Sequence, residues 1–157
     1  ALCTGILLGA REAGQDVLLG GGSQMLAVLA LALAQLKPER RKGFVEGISI
    51  GSTSWLAKEV GLDGKSLLAL LVDEISEYYG VSLWGISSGL NFSRSNKKVL
   101  RDYELGYVKE GVGVGAFSLL AQINGYTQKE LIKKCEQAVS LLESKSSSNI
   151  GDFTYKD

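Results

Sequence analysis

The sequence predicts a three-layer α/β/α fold with a mostly parallel, Rossmann-like sheet, belonging to a larger domain. Three observations predict it. Val17-Leu18-Leu19 is a short all-apolar run, as expected of a strand covered on both faces. Gly20-Gly21-Gly22-Ser23 follows it directly and leads into an apolar helical stretch, the strand, glycine turn and helix of an α/β ligand-binding unit. Further runs of strand and helix character then alternate along the chain, which argues for parallel strands joined by helices.

Taken in order, Leu2 to Ala13 has apolar residues at Leu2, Ile6, Leu7 and Ala10, a helical spacing, with Gly14 as its stop. After the first strand, Gln24 to Leu36 reads as a helix that is apolar almost all round, ended by Pro38, with Ser23 as its N-cap. Such a helix has to be buried, and so few strands leave little to cover it, so a homodimer is expected. Phe44 to Ile50 reads as the second strand, stopped by Gly51-Ser52-Thr53-Ser54. Lys65 to Tyr79 is an amphipathic helix with Leu67, Leu68, Leu71, Val72, Ile75 and Tyr79 inward and Asp73, Glu74 and Glu77 outward. Val81 to Ile86 reads as the third strand, Ser87 to Arg94 as a polar loop, and Lys97 to Leu105 as a short helix. A helix is expected to start at Ala116, and a last one to run from Thr127 to Glu143 with Thr127 and Glu130 as a capping box. Residues 1–145 are assigned to one α/β domain, and 146–157, within a polar stretch from Ser144 onward, to a flexible tail. Three strands are few for 157 residues, so sheet partners are expected upstream or in another subunit. The start at Ala1, inside a helical pattern, gives the same expectation of a fragment.

Composition narrows the function classes. Seventeen basic and seventeen acidic residues cancel without long blocks of one sign, so no nucleic-acid footprint is visible. Histidine is absent, which removes the usual general base, the usual metal ligand and any Ser-His-Asp triad. Cys3 and Cys135 are isolated and read as two buried thiols in a reducing cytosol. No metal site or cofactor is expected. The longest apolar run, Met25 to Ala34, is too short to span a bilayer, and the expected location is cytoplasmic.

Two edges of small residues draw attention as ligand sites. Gly20 to Ser23 and Gly51 to Ser54 follow apolar strands, and parallel strands place such turns on one side of the sheet. Ordinary capping and turn roles are the alternative for both. Lys109-Glu110-Gly111-Val112-Gly113-Val114-Gly115-Ala116 sets one carboxylate before three alternating glycines and a helix start. Glu110 there is either a base aimed at a ligand or a helix-start charge favoured by the dipole. Gly64-Lys65-Ser66 lacks the upstream glycine and strand of a phosphate-binding P-loop. Trp55 and Trp84 read as core or interface packing rather than as a base-stacking platform.

Gly20-Gly21-Gly22-Ser23-Gln24-Met25-Leu26-Ala27-Val28-Leu29-Ala30, together with Val108-Lys109-Glu110-Gly111-Val112-Gly113, resembles nicotinate-nucleotide–dimethylbenzimidazole phosphoribosyltransferase, nearest its archaeal and cyanobacterial branch. Gly47 to Trp55 and Asn91-Phe92-Ser93-Arg94 are similar to stretches of that branch, and the likeness covers Ala1 to Ala121, the C-terminal half of such enzymes. The family's Gly-Glu-Gly-x-Gly stretch matches Glu110, with Lys109 in place of the first glycine. The resemblance implies transfer of phosphoribose from nicotinate mononucleotide to an azole or purine base in cobamide lower-ligand synthesis, releasing nicotinate. It implies Glu110 as the catalytic base, and Gly20, Gly21, Gly22, Ser23, Gln24, Gly51, Ser52, Thr53, Ser93, Arg94, Gly111 and Gly113 as substrate-binding residues. Such a reaction needs no histidine, because a pyridinium leaving group departs without protonation and one carboxylate can deprotonate the incoming azole. Two other readings stand beside it. One is a non-catalytic nucleotide-binding or assembly module. The other is a dinucleotide-binding oxidoreductase domain resting on Gly111, Gly113 and Ala116.

Overall fold

Strands β1 (Val17–Gly20), β2 (Ile48–Ser52) and β3 (Gly85–Ser87) form one sheet in the order β1-β2-β3 in a computed structural model, which describes residues 1–105 and 112–149. Both pairings are parallel, with Leu19 opposite Ile50, Gly20 opposite Gly51 and Ser52 opposite Ser87. Around the sheet lie α1 (Leu2–Glu12), α2 (Ser23–Gln35), α3 (Pro38–Val45), α4 (Ser54–Ala57), α5 (Leu67–Tyr79), α6 (Lys98–Glu104), α7 (Val112–Ile123) and α8 (Gln128–Asn149). The chain is thus a mixed α/β fold with a small parallel sheet flanked by helices, as its alternating pattern requires.

The two faces of the sheet are packed differently. Leu19, Ile48 and Ile50 join Leu7 of α1 and Leu26, Leu29 and Leu33 of α2 in one buried cluster, with Leu68, Leu71 and Val72 of α5 against it. Each fully buried leucine contributes roughly 1.5–3 kcal/mol, so α2 is the main anchor of this face. On the opposite face α7 approaches so closely that only glycine fits. A Cβ on Gly115 would stand 2.5 Å from the carbonyl carbon of Ser52, and one on Gly51 would stand 3.1 Å from the Cα of Ala116. Leu119 and Leu18 close over Gly51 beside that contact.

Several elements differ from the sequence expectation, each for a local reason. Pro38 at the first helical position, with Glu39 in the first turn, starts α3, so Phe44 and Val45 end a helix and β2 begins only at Ile48. Gly80 adopts φ +64° and caps α5, while Val81 N–H donates 3.0 Å to the Ser76 carbonyl, which keeps Val81 in the cap and shortens β3 to Gly85–Ser87. Gly113 and Gly115 lie inside α7, which starts at Val112 rather than Ala116. Here Gly115 serves close packing on the end of β2, and Gly113 is an ordinary helical residue rather than part of a loop. The N-cap of α2 is Gly22, and Ser23 is its first residue without a capping bond. Leu26, Leu29, Ala32 and Leu33 are buried in α2, but Ala27, Leu31 and Ala34 are exposed, so burial is confined to one face. Helix α8 continues past Ser144 to Asn149. Cys3 is exposed and Cys135 half-buried, its thiol pushed up by burial and then by the Glu136 charge.

Other expectations hold in detail. Gly14 ends α1 at φ +72°, and Gln15 N–H donates to Ala10 carbonyl at 2.9 Å. Thr127 and Glu130 form the capping box, with Thr127 N–H to Glu130 Oε2 at 2.8 Å and Glu130 N–H to Thr127 Oγ1 at 3.3 Å. Arg11 fastens α1 to the ends of α3 and β1. Its Nε donates 3.0 Å to Phe44 carbonyl and Nη1 donates 2.6 Å to Gln15 carbonyl, beside Asp16 at 3.3 Å.

Gly115→Ala is expected to lower stability by about 1–3 kcal/mol, because its methyl group meets strand backbone that cannot yield. Gly113→Ala meets only the Phe117 ring at 3.2 Å, an exposed side chain on the same helix, and gains helix propensity. It should therefore change stability by under about 1 kcal/mol, in the favourable direction. Urea denaturation followed by circular dichroism separates the two, and equal effects would remove the packing account.

A second prediction concerns acid. Glu136 on α8 accepts from Ser95 Oγ and Asn96 N–H, both at 2.7 Å, and these bonds hold its carboxyl below the ordinary 4.5. Thr127 does the same for Glu130. A carboxylate with a lowered folded value adds stability that is present above the unfolded value and lost as pH falls through the folded one. The urea midpoint should therefore drop as pH falls below 4.5, and Glu136→Gln should make that drop shallower. An unchanged slope in the variant would show that the bond adds nothing.

Candidate functional site

The C-terminal ends of the three strands lie side by side because parallel pairing in register puts them there. Backbone bonds lace the ends together. Gly21 N–H donates to Gly51 carbonyl and Ser88 N–H donates to Ser52 carbonyl, each at 2.9 Å. Gly20, Gly21, Gly22, Ser23 and Gln24 thus meet Gly51, Ser52 and Thr53 at one edge, as the two turns require. Gly51 and Ser52 are strand residues, and the chain turns at Thr53, which precedes the single turn of α4.

Serine and threonine hydroxyls dominate this edge, and most are committed. Ser54 Oγ donates to Leu90 carbonyl at 2.7 Å, pulling the loop after β3 onto the start of α4. Ser88 Oγ accepts from Leu90 N–H at 3.3 Å, and Gln122 Nε2 of α7 donates to Ser88 carbonyl at 2.7 Å. Farther along, Glu104 of α6 accepts from Asn91 Nδ2 at 2.8 Å and from Phe92 N–H. Trp55 of α4 stacks beside Phe92 and Tyr103, with ring centroids 5.7 and 5.6 Å away. The loop behind the edge is therefore fixed by named bonds.

Two hydroxyls are exceptions. Ser52 is 3% exposed and Thr53 1% exposed, yet Ser52 Oγ and Thr53 Oγ1 have no hydrogen-bond partner. Alternation along β2 puts Ser52 on the same face as Ile48 and Ile50, toward α2 and α5, since Gly51 faces α7. In the first turn of α2, Met25 N–H donates to the Gly22 carbonyl at 3.1 Å, while the Ser23 and Gln24 N–H groups lie beyond reach of the helix's own carbonyl ladder. Next to them, Gly22 and Ser23 open on a cleft of about 460 Å³ lined by Leu56, Leu67, Leu68 and Leu71, with Glu59 and Glu74 also on its wall. Such an edge offers hydrogen-bond donors and positive helix-end potential, which suit an oxyanion.

Not every expected residue joins it. Ser93 is exposed and donates its Oγ and N–H to Asn91 Oδ1 at 2.5 and 2.9 Å, closing a local turn. Arg94 is exposed in the same turn, and neither residue is brought to the sheet edge. Gly113 is a helical residue facing the Phe117 ring. Glu110 and Gly111 lie outside the described residues. Trp84 is 71% exposed and so is not a core residue. Sequence reasoning missed Gln122, Glu104 and Glu136 as loop anchors, because each binds a partner at least 12 residues away with no local spacing to betray it. Among the described residues no group of three His, Cys, Asp or Glu could hold a metal ion, and no helix is long and apolar enough to cross a membrane.

Comparison with known proteins corrects the family reading. The chain is 54% identical over 143 residues to a UPF0284 protein of Prochlorococcus marinus, covering 90% of this chain and 36% of that protein. It is 49% identical over 144 residues to a UPF0284 protein of Parasynechococcus marenigrum, with the same shares covered. A UPF0284 protein of Sulfolobus acidocaldarius is 36% identical over 138 residues, 88% of this chain and 35% of that protein. The chain thus spans about a third of the length of the curated relatives it matches. No family model matches it. These relatives carry a name that states no reaction, and not that of nicotinate-nucleotide–dimethylbenzimidazole phosphoribosyltransferase. The resemblance to that enzyme is therefore set aside, and with it the phosphoribosyl transfer, the glycosyltransferase class and the role in cobamide synthesis.

Proposed function

We propose that this chain is a ligand-binding domain of Rossmann-like architecture that holds the phosphate of a small molecule at the C-terminal edge of its sheet. The observation that carries the reading is the pair of buried, unpartnered hydroxyls, Ser52 Oγ and Thr53 Oγ1. Leaving a polar group buried and unpaired costs about 1–3 kcal/mol. A ligand oxyanion accepting from both would recover that cost. The glycine turn before α2 supports the same ligand, because backbone without side chains permits close approach and the helix start favours negative charge. In open parallel sheets this is also the edge at which ligands bind. The role is binding, with no group transfer assigned.

Thermal unfolding with inorganic phosphate and with adenosine monophosphate tests it. Ligand at about 100 times its dissociation constant stabilises a one-site protein by roughly 2.7 kcal/mol, so a clear rise in Tm is expected. Ser52→Ala and Thr53→Val should leave the unliganded protein equal or up to about 1 kcal/mol more stable, since each removes an unpaired group. Both should lose most of the ligand-induced rise. Absence of any rise in the wild-type chain would overturn the reading, as would a full rise in both variants.

A further inference from the structure

The cleft at the start of α2 has opposite electrical character on its two sides. One side is the turn into α2, at Gly22 and Ser23, where the Ser23 and Gln24 N–H groups are free of the helix ladder. The other side is built by α4, α5 and the segment between them, and it carries Glu59 and Glu74. Leucines of α4 and α5 make up the rest of the wall, with no lysine, arginine or aromatic residue in it. Both glutamates stand on fixed backbone. Leu67 N–H donates 3.0 Å to the Glu59 carbonyl and Val60 bridges to Ser66, which ties residue 59 to the start of α5. Ser66 Oγ adds a bond of 2.9 Å to the Ala57 carbonyl. Glu74 lies two turns along α5 from Leu67, on the stripe that Leu70 and Leu71 share. Both residues are exposed, and neither carboxylate has a hydrogen bond or ion pair among the described residues.

We propose that the small molecule whose phosphate binds at the sheet edge is an amine-bearing phosphate ester, its ammonium group received by Glu59 and Glu74. The proposal rests on the phosphate reading above and names the class of molecule. Ser52 Oγ, 3% exposed and unpartnered, lies on the sheet face that α2 and α5 cover, the side to which the cleft's walls belong. A phosphate at the start of α2 has the cleft beside it, so its ester group enters a leucine-lined space of about 460 Å³. That is room for a small organic group, and the leucines accept its carbon skeleton. Two carboxylates on an otherwise apolar wall repel a second anionic group and attract a cationic one. The kind of cation follows from what the wall lacks. A quaternary ammonium is held by aromatic faces, and none is present. A primary or secondary ammonium instead donates N–H bonds, which unpaired carboxylates accept.

Isothermal titration calorimetry at neutral pH tests the proposal with inorganic phosphate, hexyl phosphate, and the ω-amino and ω-carboxyl derivatives of hexyl phosphate. The amino derivative should bind the wild-type chain roughly three- to tenfold tighter than hexyl phosphate, the range two partly solvated ion pairs supply. The carboxyl derivative should bind more weakly than hexyl phosphate by a similar factor. In the double variant Glu59→Gln, Glu74→Gln the three esters should bind alike. Glu77→Gln, an exposed position on α5 outside the cleft, should keep the wild-type order. The comparison of esters in the wild type needs no variant and so does not depend on how a variant folds. Equal affinities for the three esters, with inorganic phosphate still bound, would overturn the amine proposal and leave the phosphate reading standing. An amine preference that survives in the double variant would overturn it too. No binding of inorganic phosphate or of any ester would overturn the phosphate reading, and the amine proposal with it.

Discussion

The closeness of α7 to the end of β2 sets the arrangement of everything around the sheet edge. Gly115 lies on the backbone of Ser52, and Ala116 and Leu119 lie on Gly51. A helix normally stands off a sheet by the depth of its side chains. Here that depth is missing on both partners, so the helix axis is drawn in. The consequence reaches the loop after β3, where Gln122, two turns farther along α7, holds Ser88 carbonyl. Ser88 in turn is bonded to Ser52, so helix, strand end and loop form one closed circuit of contacts.

The opposite face is held by ordinary means. Buried leucines of α2 and the apolar face of α5 cover Leu19, Ile48 and Ile50, and their burial supplies the bulk of the attraction. Arg11 adds direction rather than bulk, since its guanidinium gathers carbonyls from α3 and from the turn into β1. The two faces thus divide the work. The leucine face supplies cohesion, and the glycine face supplies the position of the edge.

Local signals were legible in the sequence to the extent that they depend on neighbours in the chain. The all-apolar Val17-Leu18-Leu19, the Gly14 stop and the Thr127–Glu130 box all rest on spacings of four residues or fewer and appear where expected, and the amphipathic helix expected over Lys65 to Tyr79 runs over Leu67–Tyr79 with Leu67 exposed. The convergence of Gly20–Ser23 with Gly51–Thr53 was legible too, because parallel pairing alone dictates it. What misled were residues whose role is set from outside their own segment. Gly113 and Gly115 read as a loop because glycine is a poor helix former, and the helix containing them owes its place to packing on β2. Phe44 and Val45 read as strand from their own propensity, while Pro38 had already begun a helix that carries through them. The Glu110 assignment drew its weight from a family likeness, and the relatives found do not carry that family's name.

The orphan hydroxyls are informative because of what surrounds them. If the edge were simply rich in serine and threonine, unpaired groups would be scattered among the rest. Instead Ser54, Ser66, Ser88 and Ser95 all make hydrogen bonds within the protein. Among the described residues, the buried side-chain oxygens left over are Ser52 Oγ and Thr53 Oγ1, adjacent in sequence and at the end of the central strand. Alanine and valine would fill the same space without the cost of desolvating a hydroxyl. An unpaired polar group persists against that cost where it has work outside the fold. Its position here is at the strand end that the glycine turn before α2 also reaches, where Gly21 N–H donates to the Gly51 carbonyl at 2.9 Å.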